Sequence, residues 1–181
     1  MHISVKFCSS CGGNIDHRIP EGDDRHRHVC DGCETIHYQN PCIIAGCIPV
    51  YQSRVLLCRR AIEPAYGYWT LPAGFMENGE TMLEGAVREC VEEANAHLHS
   101  LELYSMIDIP HINQVYVFFR GELAKPEFSA GIESLEVELF EEQQIPWDDI
   151  AFPSVKRTLK QFFKDRESGV FPVRTDAIRR K

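Results

Sequence analysis

The stretch from Gly74 to Ala96 reads Gly-Phe-Met-Glu-Asn-Gly-Glu-Thr-Met-Leu-Glu-Gly-Ala-Val-Arg-Glu-Cys-Val-Glu-Glu-Ala-Asn-Ala. Residues three and four apart share a helix face, so Glu92 and Glu93 lie on the same side as Glu89, one turn further on. Crowded carboxylates repel one another unless a divalent cation lies among them. Because oxygen-only ligands suit Mg²⁺ or Mn²⁺, the stretch predicts a helix that presents a cation site.

The same segment carries the signals of a complete helix. Thr81 and Glu84 form a predicted capping box at its start. Asn95 stands where the chain leaves the helix, in the left-handed conformation that Asn tolerates. Upstream, residues 69–74 predict a short strand that runs into a loop. Apolar residues at helical spacing predict a buried stripe, made of Leu83, Ala86, Val87, Cys90 and Ala94.

This segment resembles the Nudix box, the signature of hydrolases that cleave a nucleoside diphosphate linked to another group. The family pattern is Gly, five residues, Glu, seven residues, Arg-Glu, an apolar residue, any residue, Glu-Glu, any residue, Gly and an apolar residue. The chain matches every fixed position from Gly74 to Glu93, and Asn95 replaces the last glycine. The alternative is a solvated acidic helix face, which would need this long spacing to arise by chance.

Two Cys-x-x-Cys pairs near the start of the chain form the second motif. Eighteen residues separate the pairs, which are Cys8 with Cys11 and Cys30 with Cys33. This spacing is typical of a four-thiolate Zn²⁺ site, and four protein ligands make such a site structural. Disulfides or free thiols are the alternatives. The other four cysteines fall in apolar runs and are expected to be small buried hydrophobes.

Length and charge set the domain organisation and exclude some functions. The 181 residues suit one catalytic domain with a small appendage, and we predict a zinc ribbon over 1–38 and a catalytic domain over 39–181. A net charge of −8 argues against broad nucleic-acid binding. No run is long enough to span a membrane. Residues 1–7 are too short and mixed for a signal peptide, so we expect a reducing cytoplasm.

The rest of the chain predicts an α/β fold. A helix is expected over 154–166, and a short one starts within 146–150. The resemblance implies the Nudix α/β/α sandwich with a mixed sheet, preceded by the small zinc ribbon. Strand-like runs occupy residues 42–51, 55–58, 101–109, 114–123 and 135–140.

The resemblance also implies roles for individual residues. Arg88 would position the catalytic glutamates by pairing with them, and Glu80 would support the site from behind. The general base is open between a box glutamate and the later Glu133 or Glu136, which can equally be solvated surface acids. The implied ligands of Mg²⁺ or Mn²⁺ are Glu89, Glu92, Glu93 and the backbone carbonyl of Ala73.

Substrate contacts are predicted upstream of the box and at its second residue. Arg59 or Arg60 can clamp a phosphate, although surface arginines are common. Trp69 and Phe75 can stack on an adenine or isoalloxazine ring, with core packing as the alternative.

The whole chain resembles a zinc-ribbon Nudix group that includes plant FAD pyrophosphatases. This implies hydrolysis of FAD or ADP-ribose to AMP plus FMN or ribose 5-phosphate. NADH pyrophosphatases carry a different motif where this chain has residues 108–114, so NADH or NAD-capped RNA is the alternative substrate. A zinc-ribbon binding module on an inert scaffold is the alternative from another class. The family often forms homodimers, and nucleic acid is not the expected partner.

Overall fold

A computed structural model describes residues 5–180. The first four residues of the segment weighed as a signal peptide lie outside this range. The chain divides between Pro41 and Cys42 into two compact units. Among the described helices, none combines the length and apolar character needed to cross a membrane.

The first unit is a small ribbon built on three antiparallel strands in the order β1-β2-β3. The strands are β1 (Ile15–Arg18), β2 (Arg27–Cys30) and β3 (Ile36–His37). Register pairing of Ile15 with Cys30 brings the end of β2 beside the start of β1. The two cysteine pairs lie in the turns that precede β1 and follow β2.

The second unit is built on one sheet of eight strands and two helices. The strands are β4 (Cys42–Tyr51), β5 (Arg54–Arg60), β6 (Trp69–Thr70), β7 (Ala73–Phe75), β8 (Leu98–Ile109), β9 (Gln114–Leu123), β10 (Ser134–Phe140) and β11 (Arg174–Ala177). The helices are α1 (Met82–Ala94) and α2 (Pro153–Ser168).

The sheet is mixed. Its main order is β10-β5-β4-β9-β8-β11, while β6 pairs with β5 and β7 with β4. The β4–β9 and β8–β11 pairs are parallel, and the other pairs are antiparallel.

Each face of the sheet carries its own apolar core. Successive strand residues point to opposite faces, so neighbours in β4 enter different cores. Ile48 packs with residues of α2 such as Leu159, whereas Cys47 packs with residues of α1 such as Ala86. Helices thus cover both faces, which confirms the predicted α/β/α sandwich with a mixed sheet.

Several predicted elements are confirmed and others are wrong. The strands at 42–51 and 114–123 have the predicted bounds. Residues 146–150 form turns rather than a helix, with the Asp149 amide bonded to the Pro146 carbonyl. Leu83 is 40% exposed rather than buried, because it lies in the first turn of α1. The sequence analysis also did not predict β11, which lies at the sheet edge.

Candidate active site and metal centres

The ribbon gathers four thiols into one cluster. The Sγ atoms of Cys8, Cys11, Cys30 and Cys33 all lie within 4.8 Å of one another. Cys8 and Cys33 are 3.7 Å apart, and Cys11 and Cys30 are 3.4 Å apart, so neither pair is a disulfide. Backbone amides donate to three of the sulfurs, from Ser10, Gly13 and Gly32.

The environment of the cluster lowers the pKa of Cys8 and of Cys33, whereas the Cys33 and Cys30 sulfurs raise that of Cys11 despite the Gly13 amide. Burial raises the pKa of Cys8, but the Ser10 and Cys11 amides and His37 outweigh it and lower that pKa to about 5. A Cβ on Gly13 would lie only 3.2 Å from the Cys30 sulfur, so the turn is shaped around the thiols. Four thiolates in this arrangement fit a tetrahedral Zn²⁺, and because they fill its coordination the zinc is structural.

In the second unit, the two ends of α1 set the register of its acidic residues. Thr81 accepts from the Glu84 amide while the Glu84 side chain accepts from the Thr81 amide, so the predicted capping box is present. At the other end Asn95 has φ 47° and caps the helix in the left-handed conformation. Asn95 stands where the Nudix box pattern has its last glycine, and it still allows the chain to leave the helix in the left-handed conformation.

Arg88 connects the acidic side chains of the box. Its guanidinium donates to Glu80 at 2.8 and 3.1 Å, to Glu89 at 2.6 Å and to Glu92 at 3.1 Å. It also donates to the Phe75 carbonyl at 3.1 Å. The bonds from Arg88, together with one from the Glu77 amide, lower the pKa of Glu80 to about 2. One planar fork thus holds three carboxylates and the end of β7 in a fixed arrangement.

Two glycines make room for these side chains. A Cβ on Gly74 would overlap the carboxylate of Glu89, and a Cβ on Gly85 would lie 2.7 Å from Oε1 of Glu80. Gly74 belongs to β7 and Gly85 to α1. The helix therefore approaches the sheet closely enough to press both carboxylates against backbone.

Glu93 is buried, and one of its carboxylate oxygens is unpaired among the described residues. It is 6% exposed, and its Oε2 finds no hydrogen-bond partner within residues 5–180. Burial, reinforced by the charge of Glu89, raises the pKa of Glu93 to about 8, although Arg60 and the Ala73 backbone oppose the shift. Burial likewise raises the pKa of Glu89 despite its bond to Arg88. A divalent cation would relieve the repulsion between these two desolvated carboxyls.

The glutamates do not converge as tightly as the thiols. In the described part of the chain, the four cysteines are the group of potential metal ligands whose atoms lie within 4.8 Å of one another. Arg88 already bonds one oxygen each of Glu89 and Glu92. Because Mg²⁺ keeps several waters and needs one or two carboxylates beside substrate oxygens, this looser arrangement fits it.

A loop brings a further acid to the end of α1. The Gly131 amide donates to the Glu93 carbonyl at 3.0 Å, and the Ser129 amide to the Ala94 carbonyl at 2.9 Å. A Cβ on Gly131 would overlap the helix backbone. Glu133 follows in this loop, and its charge contributes to the raised pKa of both Glu89 and Glu93. The sequence analysis did not single out Gly131, since no local pattern marks a contact with a helix end.

Glu136 forms an exposed ion pair. It is paired with Arg59 at 3.5 Å, and both side chains are about half exposed. The Arg59 Nε also donates to the Gly67 carbonyl. The structure therefore pairs Glu136 with Arg59, whereas the charge of Glu133 acts on the box glutamates.

The predicted substrate residues separate into two groups. Arg60 is 8% exposed, donates to the Pro64 carbonyl, lies 5.1 Å from the Phe152 ring and acts electrostatically on Glu93. Phe75, the second residue of the box, is exposed. Trp69, by contrast, lies in the core with its ring edge-on to Phe140, so its position supports packing and not stacking on a ligand.

Comparison with known proteins covers nearly the whole chain. A family model described as the Nudix N-terminal zinc ribbon matches residues 6–39, and one described as the NUDIX domain matches residues 41–164. A crystal structure of a NUDIX hydrolase from Nitrosomonas europaea is 53% identical with a TM-score of 0.93. It covers 97% of this chain, which in turn covers 100% of that protein.

The curated relatives are similar over part of their length. The NAD-capped RNA hydrolase NudC of Vibrio parahaemolyticus is 31% identical over 58% of this chain and 38% of its own. The NudC of Vibrio cholerae is 26% identical over 92% of this chain and 62% of its own. The chain thus spans less than two thirds of the length of these relatives.

Proposed function

Because the chain belongs to the Nudix hydrolase family, we propose that it hydrolyses the pyrophosphate bond of a nucleoside diphosphate derivative with Mg²⁺ or Mn²⁺. The observation that carries this proposal is the acidic end of α1, where a buried Glu93 oxygen has no hydrogen-bond partner among residues 5–180 and lies near the desolvated Glu89. An inert helix gains nothing from burying two adjacent carboxyls, whereas a cation site requires such donors.

We assign the metal to Glu89, Glu92, Glu93 and the carbonyl of Ala73. Ala73 lies beside these acids, since its backbone hydrogen-bonds to Glu93 and lowers the pKa of that carboxyl. When bound, the ion neutralises pyrophosphate oxygens and lowers the pKa of a coordinated water. Arg88 holds Glu89 and Glu92 in place from behind.

Two further groups would act on the substrate. Glu133 is our choice as general base, because its charge contributes to the raised pKa of the box glutamates Glu89 and Glu93. Arg60 is our choice as the phosphate clamp over the exposed Arg59, because its guanidinium is held by Pro64 and Phe152 near Glu93. The exposed ring of Phe75 is the candidate for stacking on a base.

FAD or ADP-ribose is the substrate that we propose first, with AMP as the shared product. NADH or NAD-capped RNA is the second candidate. It is favoured by the NudC relative whose similarity extends over 92% of this chain and so includes the ribbon.

The test compares hydrolysis of FAD, ADP-ribose, NADH and NAD-capped RNA at one Mg²⁺ concentration. It measures AMP release from the first three and release of nicotinamide mononucleotide from the capped RNA, whose adenosine stays on the RNA. Wild type is compared with Glu92→Gln and with Glu127→Gln, which removes an exposed acid of the 124–133 loop. Loss of product release in Glu92→Gln alone supports the proposal. Equal background release in all three proteins would instead favour a binding module on an inert scaffold.

The domain boundaries, the cellular location and the oligomeric state are also proposals. We keep the division into a ribbon over 1–38 and a catalytic domain over 39–181. A cytoplasmic location suits the eight cysteines, all of which are free of disulfides. A homodimer is proposed from the family, and light scattering of the purified protein that gave the mass of one chain would contradict it.

A further inference from the structure

Three histidines of the ribbon gather on one face of its sheet. His17 lies directly opposite His28 in the β1–β2 register, and His26 precedes β2, two residues before His28. Residues two apart in an extended chain point to the same face, and so do directly opposed residues. The His17 ring lies against both others, with centroid distances of 5.2 Å to His26 and 5.0 Å to His28. The hairpin thus presents three imidazoles side by side.

Hydrogen bonds within the ribbon do not account for this cluster. Among residues 5–180, no ring nitrogen of these three histidines takes part in a hydrogen bond, whereas His37 contacts the Cys8 sulfur at 3.3 Å. His17 and His26 are exposed, and His28 is half-buried. A neutral imidazole has one nitrogen with a free lone pair. Each of the three rings can therefore offer a nitrogen to a ligand from solvent.

The positive charges next to the cluster are compensated. The neighbouring arginines each pair with an acid: Arg18 with Asp31, Arg25 with Asp24 and Arg27 with Asp23. Because each guanidinium has a counter-charge close by, these arginines repel an incoming cation only weakly.

We propose that His17, His26 and His28 bind a divalent transition-metal ion such as Zn²⁺ or Ni²⁺, at a site separate from the four thiols. Imidazole nitrogens suit Zn²⁺, Ni²⁺ and Cu²⁺, whereas Mg²⁺ prefers oxygen ligands. Three histidines with a water in the fourth position are one of the ligand sets of zinc in proteins. Such an ion would join β1 to the start of β2 and so close the loop over residues 19–25.

Binding requires the rings to turn about their side-chain bonds. Within the described part of the chain, the potential ligand atoms of the three histidines do not all lie within 4.8 Å of one another, unlike the four thiols. Two imidazoles bound to one ion at about 2.1 Å have their nitrogens about 3.4 Å apart, a separation that centroids 5.0 Å apart permit once the rings turn. Exposed side chains change rotamer within nanoseconds, so this motion is no obstacle to binding.

The test is a calorimetric titration of Ni²⁺ into the zinc-loaded protein, with Mg²⁺ in excess to occupy the carboxylates of α1. Wild type should show saturable binding at a single site. The variant His17→Gln/His26→Gln leaves one imidazole of the cluster and should lose this binding. Both side chains are exposed, so the zinc content of the variant should equal that of wild type.

A matched double variant, His99→Gln/His111→Gln, removes two exposed histidines of the second unit and should bind Ni²⁺ like wild type. Equal losses in the two variants would overturn the proposal. Absence of saturable binding by wild type, or release of zinc during the titration, would also overturn it.

A second measurement needs no variant. Ni²⁺ is paramagnetic, so in wild type it should broaden the imidazole proton signals of His17, His26 and His28 before those of the other histidines. Broadening that begins at other histidines would place the ion elsewhere and overturn the proposal, whether or not the variants fold.

Discussion

Gly74 lies against the carboxylate of Glu89 so closely that an added Cβ would overlap it. The family glycine is thus required by contact with a side chain of α1, since its φ is not among the positive values recorded for the chain. We expect Gly74→Ala to push the Glu89 carboxylate out of place and to lower kcat at least tenfold. Steady-state kinetics at saturating Mg²⁺ measure this.

The control for that substitution is Gly32→Ala in the ribbon, where the nearest atoms to an added Cβ are 3.9 Å away. It should leave kcat unchanged. If Gly74→Ala retained wild-type kcat, the close approach of β7 to α1 would have no role in catalysis.

Arg88→Lys keeps the positive charge but loses the planar fork. One ammonium cannot replace the guanidinium bonds to Glu80, Glu89 and Glu92 at once. We therefore expect a ten- to hundredfold lower kcat/KM, the usual effect of removing a group that orients metal ligands, together with weaker Mn²⁺ binding in calorimetry. Arg18→Lys, at an exposed ion pair of the ribbon, serves as the control and should change neither quantity.

The raised pKa of Glu93 predicts a pH-dependent stability for the metal-free protein. A carboxyl whose pKa rises from 4.5 to about 8 on folding stabilises the fold below its unfolded pKa. That stability is lost as the pH rises through 8. Relative to Glu93→Gln, wild type should lose on the order of a few kcal/mol between pH 4.5 and 8, at about 1.4 kcal/mol per pKa unit.

Urea unfolding of both proteins across this pH range measures the difference. Mn²⁺ should restore the stability of wild type at high pH, because the cation replaces the proton, and should have a smaller effect on Glu93→Gln. Parallel pH curves for the two metal-free proteins would show that Glu93 is not the group responsible.

One pair of substitutions tests whether Glu133 or Glu136 is the general base. Glu133→Gln should reduce kcat at least a hundredfold, within the range for general-base catalysis, with KM nearly unchanged. Glu136→Gln should stay within a few-fold of wild type, because that acid is half exposed and paired with Arg59. The reverse pattern would move the base to Glu136.

Zinc removal should act on the ribbon before it acts on catalysis. Cys8→Ser removes a thiol from the cluster, so zinc content should fall well below about one ion per chain and the melting temperature should drop. Cys42 lies outside the cluster and is exposed, so the expectation that it would be a small buried hydrophobe was wrong. Cys42→Ser should change neither quantity. A loss of kcat in folded Cys8→Ser protein with an unchanged melting temperature would contradict a structural role.

Local patterns determined much of this protein. Cysteine spacing predicted the thiol cluster, and the box predicted the helix, its caps and the positions of its acids, because both depend on residues close in sequence. Packing decided the rest. The burial of Glu93 and the approach of Glu133 on its loop both join segments far apart in the chain. Desolvation and through-space charge depend on which segments meet, and only the tertiary structure fixes that.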